Sequence, residues 1–575
     1  MHCSRFALSS FVAAGLIGTL AVPAFSQQVA STGTTAPGAA TDTRPQLVLP
    51  STPPWVEPAP APENTAPAKA PAAPAAVAQP VQTFSLAPEL ADRIARTEGK
   101  LSADEREDRA ALKTFYEAHQ QSPVWVTEKG FTAGAERLMA EIRKADDWGL
   151  EAADYKLPSL QSSDLSRTAL ADAEVTLSLA ALKYAHDARG GRVDPARLTK
   201  YLDRKPQLYE PASVIEEVAK SQDPDAYLRG LHPKHPQFER LRQVYLALKR
   251  GEKVALAETA TPPPDKPSKK GKAAVATPKE PAQPTIKKIL ANMEEWRWMP
   301  DDLGKMYVWV NVPEYLVRVT KNGQVVHTER VVVGKPNTQT PIFSHAMEQV
   351  IFHPFWGVPD SIKTKELQPA LAMGNPILQR QGLRVQYRGR DIDPGSVDWA
   401  SVDMRNFHVY QPPGASNALG LVKFRFPNKH DVYMHDTPSK NLFNASVRAF
   451  SHGCMRVRNP QRLAEILLAE ENWPAQRVAS AMTGGPQDHQ VNLSQKIPVH
   501  IMYFTAWVND DGKLRMFNDI YGHETRIALG LEGKYNLIQQ PREERAPSRQ
   551  ELMARYGGGG YGYKKNNWLS DLFGF

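Results

Sequence analysis

The chain has 575 residues and a formal charge of +8, from 70 basic and 62 acidic side chains. Apolar residues make up 41% of it, and Cys3 and Cys454 are its two cysteines. These numbers exclude a disulfide-stapled scaffold and a clustered-cysteine metal protein, which need more cysteines, and also collagen-like or wholly disordered chains. So small a charge over this length is weak support for nucleic-acid binding, and we expect no such partner.

Residues 1–26 have the layout of a secretion signal. Arg5 precedes an apolar run at residues 11–25, and the small residue Ser26 follows it. The run is shorter than the ~20 residues of a membrane span. We therefore expect an exported protein of the periplasm or cell envelope, in which Cys3 is removed with the signal. An uncleaved anchor is the alternative, and it would be the one membrane contact.

Residues 27–83 are rich in Pro, Ala, Thr and Gln, and predict an extended, disordered tether. Residues 84–250 then show the spacing of amphipathic helices and predict a helical scaffold domain without reactive clusters. Gly190 and Gly191 are expected to end one of these helices. The apolar faces are marked by Leu86, Leu90 and Ile94, by Leu138 and Ile142, by Val175, Leu179 and Leu182, and by Phe238, Leu241 and Tyr245.

Residues 251–285 form a Pro- and Lys-rich linker whose charge we expect to be solvated. A mainly β domain is predicted to follow at 286–505, since one helix at 286–298 gives way to strand patterns. Asn322-Gly323 is a hairpin-turn signal, and Asn459-Pro460 is a helix start. Strands are predicted at 307–312, 315–320, 325–333, 350–356 and 431–435, an inserted lobe at about 359–425, and a C-terminal extension with a Gly-rich tail at 506–575.

The densest group of reactive residue types is Ser451-His452-Gly453-Cys454-Met455-Arg456. A thiol attacks as the thiolate, and a nearby base or positive charge lowers its pKa. Gly453 suggests a tight turn, whose N–H groups could form an oxyanion hole. His452 lies two residues before Cys454 and would be its neighbour in an extended strand, but the turn at Gly453 makes His435 the better candidate for the base. His435 ends a predicted strand, and Tyr433 lies on the same face of that strand. Either Asp436 or a backbone carbonyl could orient the imidazole.

Other readings of these residues are open. A single cysteine is often an inert, buried hydrophobic residue. In an exported, oxidising compartment, however, an unpaired thiol without a function would be exposed to mispairing or oxidation. Cys454, His452 and His435 could hold zinc, but no fourth ligand occurs at a regular spacing, so we expect no metal.

The segment 451–456, preceded by Val432-Tyr433-Met434-His435-Asp436-Thr437-Pro438, resembles the signature of the L,D-transpeptidases, the YkuD-type catalytic domain. Residues 289–298, Val310-Asn311-Val312-Pro313 and Asn417-Ala418-Leu419-Gly420 resemble the large, YcbB-like branch. Gly190-Gly191-Arg192-Val193-Asp194-Pro195 resembles the scaffold domain of that branch. The implied fold is multidomain α+β, with a helical scaffold domain followed by a mainly β catalytic sandwich.

The resemblance implies a cysteine acyltransferase that joins peptidoglycan stems by 3→3 cross-links through a thioester. A stem tetrapeptide would be the donor and a diamino acid the acceptor, carbapenems would acylate the enzyme, and no cofactor is implied. Cys454 matches the nucleophile, His435 the base, and the Gly453 and Cys454 N–H groups the oxyanion donors. Ser451, His452 and Arg456 match the rest of the motif, with roles in shaping the turn or contacting substrate, as Tyr433 could.

The sequence pattern departs from that of the large branch in one respect. The small peptidoglycan-binding domain that usually accompanies the scaffold has no counterpart in the pattern, so the scaffold and the lobe would have to position the substrate. Two other functions compete with the transpeptidase. An L,D-carboxypeptidase or cross-link hydrolase would use the same Cys–His chemistry with water, and a wall-binding scaffold would carry an inactive domain.

Overall fold

The computed structural model describes residues 84–96, 99–257, 283–542 and 545–556. The predicted signal segment with Cys3, the tether, most of the Lys/Pro linker and the Gly-rich tail lie outside these residues. Within the described ranges, none of the helices combines the length and the apolar character needed to cross a membrane.

The N-terminal part is a helical domain built around one long helix, α4 (Arg167–Gly190). Most of the residues of α4 are buried, and not only those on one face, because five other helices of the domain pack around it. It ends at Gly190 as predicted, and Gly191 follows with a φ of +88°. The helices are α1 (Ala87–Ala95), α2 (Ala103–Ala118), α3 (Ala133–Ile142), α4 (Arg167–Gly190), α5 (Pro195–Leu198), α6 (Pro211–Lys220), α7 (Pro224–Gly230), α8 (Pro236–Lys249) and α9 (Ile286–Arg297), with short strands β1 (Val126–Thr127) and β2 (Gly130–Phe131).

A mainly β region follows and contains one large sheet. The strands of the region are β3 (Met306–Asn311), β4 (Leu316–Lys321), β5 (Gln324–Gly334), β6 (Ser344–Phe352), β7 (Trp356–Gly357), β8 (Arg384–Tyr387), β9 (Arg390–Asp391), β10 (His408–Gln411), β11 (Val422–Arg425), β12 (Met434–His435), β13 (Ala449–Ser451), β14 (Met455–Val457), β15 (His489–Met502), β16 (Ala506–Val508) and β17 (Leu514–Met516). The large sheet has the strand order β13-β5-β14-β12-β11-β6-β15-β3-β4, and β4 also pairs with β5, so the sheet closes on itself. The multidomain α+β class is thereby confirmed.

Several strand predictions need correction. β6 begins at Ser344 rather than at residue 350 and ends at Phe352, because His353 takes a φ of +47°. Of the predicted strand 431–435 only the last two residues pair, since Asp431 has a φ of +52°. β15 was not predicted, although it lies between β6 and β3 in the middle of the sheet. The hairpin turn at Asn322-Gly323 is confirmed, with both residues at positive φ.

The lobe has a hydrophobic core of its own, drawn from residues 356–419. It contains a small sheet in the order β7-β10-β8-β9 and the short helices α10 (Asp360–Ile362), α11 (Gln368–Ala372) and α12 (Ile377–Arg380). A π-helical turn, Lys363–Leu367, joins α10 to α11. The last four residues of the stretch predicted as the lobe form β11 of the large sheet instead.

The chain beyond β14 packs back onto the rest. α13 (Pro460–Leu468) begins as predicted, where the Asn459 side chain accepts a hydrogen bond from the Arg462 N–H. α14 (Ala475–Thr483), α15 (His523–Leu531) and α16 (Arg549–Tyr556) are the later helices. The hairpin β16–β17 shares a hydrophobic core with α8 and α9, in which Trp296 stacks on Phe504 at 4.5 Å between ring centroids.

Candidate active site

Three neighbouring strands place the candidate residues on one face of the large sheet. β12 runs parallel to β14, with His435 opposite Arg456, and antiparallel to β11, with His435 opposite Lys423. Directly paired residues point to the same face, and so do residues two apart. Tyr433 and Cys454, each two residues earlier, therefore join this face, while Met434 and Met455 point into the hydrophobic core.

Cys454 follows a tight turn that requires Gly453. Gly453 has a φ of +115°, a conformation that other residues rarely adopt. The Ser451 hydroxyl donates to the Cys454 carbonyl at 2.6 Å and accepts from the Gly453 N–H at 3.2 Å. The predicted oxyanion role of the Gly453 N–H is therefore not available in this conformation, because Ser451 accepts that hydrogen. The Cys454 N–H has no acceptor within the described part of the chain and is the better donor.

The turn is supported from behind by a loop and by the C-terminal extension. The Thr340 hydroxyl donates to the Gly453 carbonyl at 2.8 Å and accepts from the Gly334 N–H at 2.9 Å. The Tyr521 hydroxyl accepts from the Thr340 N–H at 3.2 Å and donates to the Gly334 carbonyl at 2.6 Å. Tyr521 is itself held by the Tyr503 hydroxyl, which accepts from its N–H at 2.6 Å.

His435 is buried, and its tautomer follows from its partner. Nδ1 lies 2.5 Å from the carbonyl oxygen of Asp436, which can only accept, so Nδ1 carries the hydrogen and Nε2 is left as the base. The Asp436 carboxylate instead takes the Lys440 ammonium at 2.5 Å and the Leu421 N–H at 2.9 Å. Of the two alternatives for the orienting group, the structure therefore has the backbone carbonyl.

Burial keeps both reacting groups neutral at rest. It lowers the pKa of His435 to about 3, and the charge of Arg456 acts in the same direction. Burial also raises the pKa of Cys454, opposed by hydrogen bonds from Tyr433 and by the Lys423 charge. The thiol donates to the Asp431 carbonyl at 3.8 Å, and among the described residues no hydrogen bond joins it to His435. Catalytic hydrogen bonds are often long before substrate binds, and a neutral imidazole is a competent base.

The lobe forms the opposite wall of a cavity of about 320 Å³ beside the thiol. Trp356 and residues 359–362 contribute from the lobe, and Cys454, His435, Tyr433, His452 and Arg456 from the sheet and turn. His452 points toward the lobe, where its Nε2 lies 2.5 Å from Glu366 on the π-helical turn. The Ser451 hydroxyl bonds within the turn and His452 bonds Glu366. Among the described residues, no cluster of His, Cys, Asp and Glu is arranged to hold a metal.

Four residues of this site were not predicted. Thr340 and Tyr521 support the turn, Glu366 pairs with His452, and Lys423 lies beside His435 and Tyr433. Lys423 could have been noticed as a cation between apolar residues in the segment Leu421-Val422-Lys423-Phe424. The other three carry no local signal, because nonlocal folding brings them to the site.

Comparisons with known proteins agree with this architecture. Residues 110–244 match the family model of a scaffold domain, and residues 305–481 match that of the L,D-transpeptidase catalytic domain. A Haemophilus influenzae (strain Rd) protein, itself only a candidate L,D-transpeptidase, is 30% identical over 254 residues, which are 44% of this chain and 51% of that protein. The chain thus spans about half the length of this curated relative.

Solved structures give weaker similarities. An L,D-transpeptidase from Mycobacterium smegmatis is 12% identical and aligns over 34% of this chain and 58% of its own, with a TM-score of 0.16. The L,D-transpeptidase LdtMt1 in complex with imipenem is 16% identical over 34% of this chain and 59% of its own, also with a TM-score of 0.16. Scores this low carry no argument about the site.

Proposed function

We propose that this protein forms 3→3 cross-links in peptidoglycan through a thioester on Cys454, because residues 305–481 match the family model of the L,D-transpeptidase catalytic domain. The donor is a stem tetrapeptide, and the acceptor is the side-chain amine of a diamino acid in a second stem. The observation that most supports this is the placement of Cys454 and His435 in one cavity, with His435 Nδ1 bonded to a carbonyl and Nε2 left as the base.

The first half of the reaction acylates the cysteine. The thiol proton moves to Nε2 of His435, and the sulfur attacks the carbonyl carbon of the third stem residue. The new S–C bond forms, the C–N bond to the terminal D-Ala breaks, and His435 returns its proton to the departing amine. The Cys454 N–H stabilises the oxyanion, an interaction that is typically worth about 3–4 kcal/mol in such sites.

The second half transfers the acyl group. The acceptor amine attacks the thioester carbonyl, and His435 takes a proton from it as the N–C bond forms. The C–S bond breaks, and the proton from His435 restores the thiol. The wall formed by Trp356 and residues 359–362 stands beside the sulfur. This wall therefore controls whether an amine or water reaches the thioester.

Purified full-length protein incubated with disaccharide tetrapeptides tests this function. We expect cross-linked dimers with release of D-Ala, detected by mass spectrometry, and a covalent adduct on Cys454 with a carbapenem. Cys454→Ala should abolish both, whereas the matched control Cys3→Ser should retain both. Tripeptides without dimers would identify the activity as that of a carboxypeptidase instead of a transpeptidase. An unchanged substrate in a sample with a free Cys454 thiol would refute the assignment of any such enzymatic activity.

We further propose that this reaction takes place in the periplasm or cell envelope, because residues 1–26 have the layout of a secretion signal. Fractionation of cells that make the full chain should place it in the envelope or periplasm. A chain lacking residues 1–26 should remain in the cytoplasm. The N-terminal sequence of the exported protein would distinguish a cleaved signal from an uncleaved anchor.

A further inference from the structure

Lys423 is a half-buried cation with no ordinary partner. It lies on β11, opposite His435 on β12 and opposite Ile351 on β6. Within the described ranges its ammonium group forms no ion pair with a carboxylate and donates no hydrogen bond. Its Nζ lies instead 4.0 Å from the centroid of the Tyr433 ring. Burial lowers the pKa of Lys423, so the half-buried position disfavours its charge. A charge held there despite this cost points to a function.

Tyr433 connects this cation to the thiol. Its hydroxyl donates a hydrogen bond to Cys454 and accepts one from Trp356 of the lobe. A cation over an aromatic face is attracted by the ring quadrupole, so Lys423 and the ring hold one another in place.

The charged and titratable groups around this pair act on different partners. For the Cys454 thiol, the positive charge of Lys423 lowers the pKa more than that of Arg456 does. For the His435 imidazole the order is reversed, and Arg456 is the stronger of the two. At the thiol, Lys423 is thus the stronger of these two cations. The titratable and charged groups that line the cavity with Cys454 are Asp360, His430, Asp431, Tyr433, His435, His452 and Arg456. Arg425, Asp488 and Asp431 act on Lys423.

We propose that Lys423 is a positioning residue for the nucleophile, which fixes the Tyr433 ring and stabilises the Cys454 thiolate through the Tyr433 hydroxyl. This rests on the proposed role of Cys454 as the attacking thiolate. Because His435 is neutral at rest, it offers no cation to the sulfur before the proton moves. Lys423 provides a positive charge near the sulfur before the proton transfer takes place. It lies against the Tyr433 ring and is not one of the residues that line the cavity.

The test measures the thiol itself and needs no substrate. In full-length protein with Cys3→Ser, Cys454 is the one remaining thiol, and its rate of alkylation by iodoacetamide against pH gives its pKa. Lys423→Met keeps the length of the side chain and removes its charge. We expect its midpoint to rise by about one pH unit, which slows alkylation at pH 7 about tenfold. Lys423→Arg should restore most of the original value.

Arg425→Met is the matched control, because Arg425 lies on the same face of β11 and its side chain bonds Gln349 at 2.7 Å. Arg425→Met should leave the midpoint of the alkylation curve unchanged. A shift equal to that of Lys423→Met would show that any nearby positive charge has the same effect, and would overturn the proposal. Tyr433→Phe keeps the ring and removes the relay, so it should also raise the midpoint. In the double variant Lys423→Met/Tyr433→Phe, the midpoint should be close to that of Tyr433→Phe alone.

An unchanged midpoint in Lys423→Met or in Tyr433→Phe overturns the proposal. Should Lys423→Met lose its circular dichroism spectrum, Lys423→Gln and Tyr433→Phe provide the same measurement. The proposed transpeptidase can fail separately, since a protein inactive on muropeptides could still show the shift in thiol pKa.

Discussion

Tyr521 lies beyond the part of the chain that matches the catalytic family model, yet its hydroxyl bonds the loop behind Cys454. Tyr521→Phe removes that hydroxyl and leaves the Thr340 N–H and the Gly334 carbonyl without it. Each unsatisfied buried group costs about 1–3 kcal/mol of the free energy of unfolding. Thr340 also holds the Gly453 carbonyl, so we expect the turn that carries Cys454 to shift as well.

The rate of covalent acylation of Cys454 by imipenem, followed by mass spectrometry, measures this second effect. Misplacing a reacting group by about 1 Å can cost on the order of 10²-fold in rate, and we expect a loss of about 10- to 100-fold. Tyr535→Phe is the matched control, because the Tyr535 ring packs under Arg197 at 4.1 Å and its hydroxyl bonds no described residue. A Tyr521→Phe protein that is destabilised but acylates at the original rate would refute the reasoning, as would an equal loss in Tyr535→Phe.

Three further predictions concern the site and the buried histidines. His435→Gln should lower the rate of cross-linking by about 10²–10⁴, because the general base is lost, while alkylation of Cys454 at high pH persists; equal turnover would contradict the assignment. Glu366→Gln weakens the bond to His452 that joins the lobe to the turn, and should raise KM for the tetrapeptide about tenfold, measured by steady-state release of D-Ala with little change in kcat. Burial lowers the pKa of His435 to about 3 and of His500 to about 4, so below pH 6.5 the unfolded chain binds protons that the folded chain does not. Stability should therefore fall as the pH drops from 6.5 toward 4, by up to about 1.4 kcal/mol per pH unit for each such histidine, and a flat profile of unfolding free energy would contradict the burial.

The elements that could be predicted are those whose pattern is local. α1 and α8 repeat apolar residues within one helical turn, and the Asn322-Gly323 turn is specified by two residues. The sequence pattern predicts too late a start for β6, because its first six residues include His345, Glu348 and Gln349 and only its last three are continuously apolar. β15 was missed because polar residues alternate through it and an irregularity interrupts its pairing with β6 between Asn492 and Ile497.

The candidate site divides in the same way. Cys454, Gly453 and His435 lie in short, recognisable segments, and spacing alone placed Tyr433 beside His435, where their rings are 5.7 Å apart. The group that orients His435 could not be chosen from sequence, since both the carboxylate and the carbonyl of Asp436 were available. The partners of the turn and of the thiol come from sites far along the chain, and only the pairing of strands brings them together.

The position of β15 in the sheet has a consequence for biosynthesis. β15 separates β6 from β3, yet it is translated after every other strand of that sheet. Until residue 502 has left the ribosome, the inner edges of β3 and β6 lack their neighbour, and exposed edges of this kind favour aggregation. The nucleophile is therefore synthesised well before its sheet can close, so a nascent chain truncated just after Cys454 would hold the reactive residues without the fold that makes them a site.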